Sequence, residues 1–442
     1  MDILGTAGAA IERLFGPLAD AAGRDSGVVV RRRKFSPLTL ARTFVLGFLR
    51  KPAATDEDLA QAAAECGVAV TPQAIDQRHT PALVAFLRNL FGRAAAVVVG
   101  ADRALAPVLA RFTAVTVLDS TTIALPESQR AAFPGCGGGR GGGAAAVKLQ
   151  VELDLTTGAV SHVGIGPGKA SDGGSARQHA GRPAGSLRVT DLGYFSVAVF
   201  AGLVAARAHF LSRLHYKTGV REPGGGAAVD LLAWLARHAG PWADRPILLG
   251  SERLACRLIA WRLPADQAAR RRRKLRDETV SKHGREPSAA RLAWCDWTVL
   301  VTSVPGDLLT PAEAAILYRA RWQIELLFKR WKGQDRVAVL TGSTDDRQLV
   351  RVWARLLAAL VQHWLVVAGV WGDPSKSLAK ACEAVRAFAG RLLTAAAGGE
   401  DVARILTDLA RVLEKTCRRD KRAAPGTFEL LNDPSLLDFR LT

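Results

Sequence analysis

Methionine occurs once in the 442 residues, tyrosine three times and cysteine six times. Cys66, Cys136, Cys256, Cys295, Cys382 and Cys417 form no CxxC pair and no Cys/His cluster at zinc spacing. That excludes a disulfide scaffold and a structural zinc site, and predicts a reduced, intracellular chain. A membrane-spanning run is also missing. The longest apolar stretch, Leu356 to Trp371, is interrupted by Gln362 and His363 and falls short of the ~20 residues a bilayer needs. It reads as a buried helix. Asp2, Glu12 and Arg13 break up the apolar run that a signal peptide requires, so the expected compartment is the cytoplasm, with access to a bacterial nucleoid. Acid is the scarce charge: 41 Asp and Glu face 60 Lys and Arg, a net charge of +19. Such an excess says little about fold but selects an anionic partner, nucleic acid first. Hydrophobic residues at 49% and charged residues at 23% exclude disorder and collagen.

The length predicts two to four domains. Residues 1 to 30 read as helical and are followed by the basic run Arg31-Arg32-Arg33-Lys34. The segment 36 to 98 reads as several short helices. In it Thr55 caps a helix with acids in its first turn, Gly67 stops that helix, and Thr71-Pro72 starts another. Helix, short turn, helix is the layout of a helix-turn-helix, and Gln73, Gln77 and Arg78 on its second helix could reach bases or phosphates. An ordinary helical hairpin fits the same pattern.

From residue 113 the pattern changes to strands. Thr113 to Leu118 is apolar and β-branched and ends in Asp119. Residues 147 to 155 alternate as a half-buried antiparallel strand, with Val160 to Ile165 as hairpin partner after a Thr157-Gly158 turn. The glycine-rich run up to Gly143 lacks G-x-x-x-x-G-K-[ST] and is a flexible loop, not a phosphate-binding one. Leu187 to Thr190 is a strand ending at Asp191, Ser196 to Ala206 a helix, and His209 to Leu214 a strand carrying Arg213. This is an α/β layout with carboxylates at strand ends. Residues 245 to 305 form a separate strand-rich block, with a basic run, 270 to 276, on a connection inside it. After Thr310-Pro311 a long helical region runs to about 372, and a basic helical tail follows.

Tyr318, Arg321, Glu325, Lys329 and Lys332 are spaced by three, four, four and three, which makes one polar stripe on a helix. Leu317, Ile324, Phe328 and Trp331 form the apolar face beside it. The stripe is either a solvated face stapled by i,i+4 ion pairs or a carboxylate held among cations at the core's edge. Asp119, Asp191 and Glu325 together supply three carboxylates. Hard oxygen ligands of this kind select Mg²⁺ or Mn²⁺, and two such ions can drive phosphodiester chemistry.

Tyr318-x2-Arg321-x3-Glu325-x6-Lys332 resembles, without insertion or deletion, the YREK signature of DDE transposases of the insertion-sequence-four type. Leu118-Asp119-Ser120-Thr121 resembles their first acidic motif and Asp191-Leu192-Gly193-Tyr194-Phe195 their second. Phe133-Pro134-Gly135 and Phe210-Leu211-Ser212-Arg213 also look like the family, and the resemblance covers roughly residues 30 to 375.

The resemblance implies an RNase H-like catalytic core with a β-rich insertion, between a helical N-terminal DNA-binding region and a helical C-terminal tail. The implied boundaries are 1–105 for the DNA-binding region, 106–220 and 309–372 for the two parts of the core, 221–308 for the insertion and 373–442 for a dimerisation tail. Asp119, Asp191 and Glu325 would bind two divalent ions. Tyr318, Arg321 and Lys332, with Lys329 and Arg213, would hold DNA phosphates. Trp297 looks like the aromatic on which a flipped base stacks where a hairpin forms, and is equally a core tryptophan; Trp294 is its fallback. The implied partners are transposon ends, target DNA and a second copy of the chain. A metal-dependent nuclease that cuts without joining, or a silent DNA-binding regulator, are the competing readings.

Overall fold

A computed structural model describes residues 3–29, 34–102, 104–137, 144–224, 226, 228–395, 401–420 and 424–437. The basic residues 31–33 and the glycine-rich 138–143 lie outside the described residues. In chain order the helices are α1 (Ile3–Arg13), α2 (Ala19–Ser26), α3 (Pro37–Arg50), α4 (Asp56–Glu65), α5 (Pro72–Asp76), α6 (Pro81–Ala94), α7 (Ala176–His179), α8 (Val197–Ala205), α9 (Leu231–Ala236), α10 (Ala265–His283), α11 (Ala289–Trp294), α12 (Pro311–Ala320), α13 (Trp322–Lys329), α14 (Asp345–Val370), α15 (Leu378–Ala395), α16 (Val402–Lys415) and α17 (Thr427–Asn432). The strands are β1 (Val115–Ala124), β2 (Ala146–Asp154), β3 (Val160–Pro167), β4 (Leu187–Thr190), β5 (His209–Arg213), β6 (Val220–Arg221), β7 (Ala243–Leu249), β8 (Leu254–Arg262) and β9 (Trp297–Thr302).

One device starts many of the helices. A hydroxyl caps the end and proline takes the first helical position, where no amide hydrogen bond is lost: Ser36-Pro37, Thr71-Pro72, Thr80-Pro81 and Thr310-Pro311. The Thr55 and Thr310 backbone amides donate in return to the Asp58 and Glu313 carboxylates, completing capping boxes.

The chain forms two compact units. The first comprises Met1–Leu105, Ser120–Ala170 and Gln323–Lys421. Its core is α14, which packs against α1, α3, α6, α15 and α16. The Leu356–Trp371 stretch lies largely within this 26-residue helix, and 94% of the helix's most apolar window is buried in protein. Trp353 and Trp364 are fully buried on it, each contributing about 2–3 kcal/mol of apolar burial. The apolar face of α16, with Ile405, Leu406, Leu409 and Leu413, is covered within the same unit by α1, α14 and α15. The unit also holds the β2–β3 hairpin, in the order β3-β2-β1 with the second half of β1. Its turn is Thr157-Gly158, with Gly158 at φ +74°. A Cβ at 158 would meet the Trp371 ring at 2.3 Å, so glycine is required twice over. His363 donates from Nε2 to the Gly158 carbonyl at 2.9 Å, and the Trp371 indole donates to the Leu155 carbonyl at 3.2 Å. Burial, then Arg330, pushes the His363 pKa down to about 3, so this bond comes from a neutral ring.

The second unit comprises Ala106–Asp119, Ser171–Trp322 and Arg422–Thr442. Its strand order is β1-β4-β5-β9-β8-β7-β6. β1, β4 and β5 run parallel, and β9, β8, β7 and β6 continue antiparallel. The strand-rich block expected to stand separately therefore extends the same sheet, because β9 pairs with β5. Phe200 stacks on Phe210 at 4.3 Å in a core shared with Leu258 and Val301.

Three further expectations are corrected. β1 does not end at Asp119 but runs on to Ala124, because Thr121, Thr122 and Ile123 sustain the β-branched run. The basic run 270–276 lies on no connecting loop. It is part of α10, nineteen residues without proline or glycine, closed by left-handed Gly284. The region from 310 to 372 is not one helix. α12 gives way to α13 at Arg321, a π-helical turn spans Arg330–Gln334, and a connection precedes α14.

Candidate active site

β1 and β4 run in parallel register, with Val117 opposite Val189. Asp119 and Asp191 each lie two residues further on. Side chains alternate along extended backbone, and Asp191 is extended at φ −82°, ψ 168°, so both carboxylates share one face of the sheet. Asp119 is held inside a strand. Asp191 opens the 3₁₀ turn Leu192–Tyr194, which is anchored by buried Tyr194 and by a bond from the Gln178 amide to its carbonyl at 3.1 Å.

α12 brings the cations. Arg111 grips its capping box, donating to Glu313 at 2.7 and 3.0 Å. Burial opposes ionisation of Glu313, but Arg111 and Thr310 outweigh it and hold its carboxyl below the usual range. Leu317 and Ala320 face the core, which turns Tyr318 and Arg321 to the other side. The Tyr318 hydroxyl donates to Asp191 Oδ1 at 3.3 Å. Arg321 Nη1 lies 3.7 Å from Asp119 Oδ2 and 3.9 Å from Asp191 Oδ2, with its guanidinium 5.9 Å from the Tyr318 ring centre. Burial first, then Asp191, raises the Tyr318 phenol to about 12 against Arg321 and Arg213, so it remains a neutral donor. The second unit thus brings Asp119, Asp191, Tyr318 and Arg321 together, with Arg213 at the end of β5 in electrostatic reach.

Glu325, Lys329 and Lys332 belong to the first unit. Glu325 is half-buried on α13 and Lys329 is exposed at its end. Lys332 sits in the π-helical turn, which departs from the 3.6-residue repeat of an α-helix. Burial lowers the Lys332 pKa and Glu325 opposes that shift, so the two side chains sense each other.

Residues 110–361 match the family described as the transposase DDE domain, more than half of the chain. The chain is 27% identical over 360 residues to the transposase for insertion sequence element IS231B of Bacillus thuringiensis subsp. berliner, covering 76% of this chain and 74% of that one. It is 26% identical over 359 residues to the IS231F transposase of Bacillus thuringiensis subsp. israelensis, covering 76% and 74%. It is 25% identical over 275 residues to the IS1151 transposase of Clostridium perfringens, covering 58% and 57%. This chain belongs to the DDE transposase family.

It is a DNA transposase of the insertion-sequence-four type with an RNase H-like core, an enzyme that cleaves and transfers DNA strands and depends on divalent metal. The acids suit such an ion. All donors are hard carboxylate oxygens, and Asp119 and Asp191 both face one cationic position, the Arg321 nitrogen.

Trp297 opens β9 and is buried in the second unit's core, with Arg262 6.0 Å from its ring centre. Trp294 is half-buried, edge-on to Tyr216 at 5.6 Å. Gln73 and Gln77 are exposed at α5, a helix of only five residues, and the Arg78 guanidinium sits 5.3 Å from the Phe35 ring centre. Arg271 was hidden in a run of like charges, although helical periodicity over 265–283 puts it on a different side from Arg273.

Proposed function

We propose that this transposase carries out cut-and-paste transposition, with Mg²⁺ as its working ion and Mn²⁺ as a substitute. Asp119, Asp191 and Glu325 would hold two such ions, which would supply activation of a water or a 3′-hydroxyl and stabilisation of the leaving oxygen of the phosphodiester. The chain's own groups arrange the rest. The Tyr318 hydroxyl fixes one oxygen of Asp191, and Arg321, Lys332 and Lys329 neutralise phosphates of the transposon end. Gln73, Gln77 and Arg78 contribute to reading that end. Both ends of an element must be cut together, which calls for two copies of the chain in the working complex. It acts in the cytoplasm, at the nucleoid.

The observation that supports this most is the convergence of two carboxylates from adjacent parallel strands on one cationic position. The test is a gel assay of the purified chain on DNA carrying the ends that flank its own gene, with Mg²⁺ and with EDTA, beside Asp191→Ala. Metal-dependent nicks at the element boundary and a joined product, both absent in the variant, are the expected result. Nicks that are never joined would return the protein to a nuclease. Binding without metal-dependent cutting would return it to a regulator.

A further inference from the structure

The basic run 270–276 is divided by the helix that carries it. Arg270, Arg273, Lys274 and Arg276 point to solvent. Arg270 pairs with Asp266 at 2.8 Å, Lys274 with Glu278 at 3.9 Å and Arg276 with Glu286 at 3.6 Å. Arg272 turns inward and pairs with Asp296. Arg271 also turns inward, and its partners are neutral. Its Nη1 donates to Thr298 Oγ1 at 3.1 Å and to the Trp297 carbonyl at 3.3 Å.

Those contacts fix where the guanidinium lies. β5 and β9 pair with Arg213 opposite Leu300. Thr298, two residues from Leu300, shares its face of the sheet and therefore that of Arg213. The Arg271 head on Thr298 and the Arg213 side chain thus stand on one face of neighbouring strands. Electrostatics agrees with this placement. Burial first, then the charge of Arg213, pushes the Arg271 pKa down to about 10. Tyr318, whose hydroxyl holds Asp191, lies in the electrostatic reach of both arginines. Among the described residues neither arginine pairs with a carboxylate. Two half-buried like charges with no acid between them are unfavourable by themselves and become favourable once an anion joins them. A guanidinium fork matches phosphate with two parallel hydrogen bonds.

We propose that Arg271 and Arg213 form a clamp for a single DNA backbone phosphate beside the Tyr318–Asp191 end of the active site. α10 then delivers one arginine to the site, ties Arg272 to Asp296 and leaves Arg270, Arg273, Lys274 and Arg276 to solvent. The proposal rests on the reading of Asp119 and Asp191 as the site.

Binding of the full chain to a fluorescein-labelled duplex of its element end, in EDTA, tests it. Neutral methylphosphonates replace one phosphate at a time. In wild type, one position near the cleavage point costs about tenfold or more in Kd, the loss of a charge-assisted contact. In Arg271→Gln the same position costs nothing further, while other sensitive positions keep their cost. Arg273→Gln, on the solvent side of α10, leaves the whole pattern unchanged. If Arg271→Gln keeps the wild-type cost at every position, the clamp is wrong. A melting curve checks that the variant folds; if it does not, Arg271→Lys, which keeps the charge and loses the fork, must flatten the same position. Asp191→Ala separates the two claims. It keeps the binding pattern and loses cutting, so a wild type that never cuts would sink the site reading while the scan still judges Arg271.

Discussion

At the start of α14, Arg347 donates to Asp56 at 2.9 Å and also to Asp76, with Arg351 4.0 Å from Asp56. His79 stands beside them, and burial holds its pKa below its usual value. Around Tyr318, by contrast, Arg321 lies near Asp119 and Asp191, while Arg213 and Arg271 pair with no carboxylate among the described residues. The first cluster closes on itself, two acids against two arginines and a neutral imidazole. The second has cations to spare. A closed cluster fixes a helix to its neighbours. An open one holds charge in place for something that arrives later, and in a transposase that is DNA with its metal ions. Charge balance, more than the number of charged residues, separates scaffold from site here.

The comparison can be broken most severely at the open cluster. Asp191→Asn should reduce strand cleavage about a thousandfold or more, as loss of a central catalytic group does, while binding to the element end stays near wild type. Cleavage within tenfold of wild type would remove Asp191 from the site. Glu325→Gln should behave alike and tests whether the first unit supplies the third acid. At the closed cluster, Asp56→Ala leaves two arginines facing each other and should cost about 2–3 kcal/mol in urea unfolding, discounted for partial exposure. Cleavage per folded molecule should not change; a selective loss of cleavage would make that cluster part of the site.

Glu313 is a smaller test, since it is closed with Arg111 yet anchors the helix of the open site. Its carboxyl titrates below the usual value of 4.5 in the folded chain. Its contribution is therefore complete above pH 4.5 and fades as pH falls through the lowered folded value. Glu313→Gln should cost about 1–2 kcal/mol at neutral pH and flatten the urea midpoint across that acid window. An unchanged pH profile would mean the cap bears the load without charge. The smallest effect belongs to Arg273→Gln. The slope of log Kd against log salt should fall by no more than about one; a larger change would give the solvent side of α10 a role in the complex.

Much of this was legible in the residues because local chemistry decides it. Thr55, Thr71 and Thr310 start helices wherever they stand before proline or acids, and alternation over 147–155 gives a strand whatever it pairs with. The spacing from Tyr318 to Lys332 carried the family. What was not legible depends on neighbours distant in sequence. That the strand-rich block joins the parallel strands is set by β9 pairing with β5, Leu211 opposite Thr302. The division of 270–276 into two inward arginines and an outward face needs Thr298 and Asp296 to be known as neighbours. Trp297 can be assigned to packing or to a base with equal ease from its neighbours in sequence.

The two acids of the second unit also differ mechanically. Asp119 has strand on both sides along the chain, whereas Asp191 ends its strand, is 40% exposed and leans on a single 3₁₀ turn. One jaw is stiff and the other compliant. Any accommodation of a larger cation or a displaced phosphate would be taken up by Asp191, and its range would be set by how firmly Tyr194 and Gln178 hold that turn. Tuning this enzyme's tolerance, as opposed to its chemistry, therefore starts at residues that touch no substrate at all.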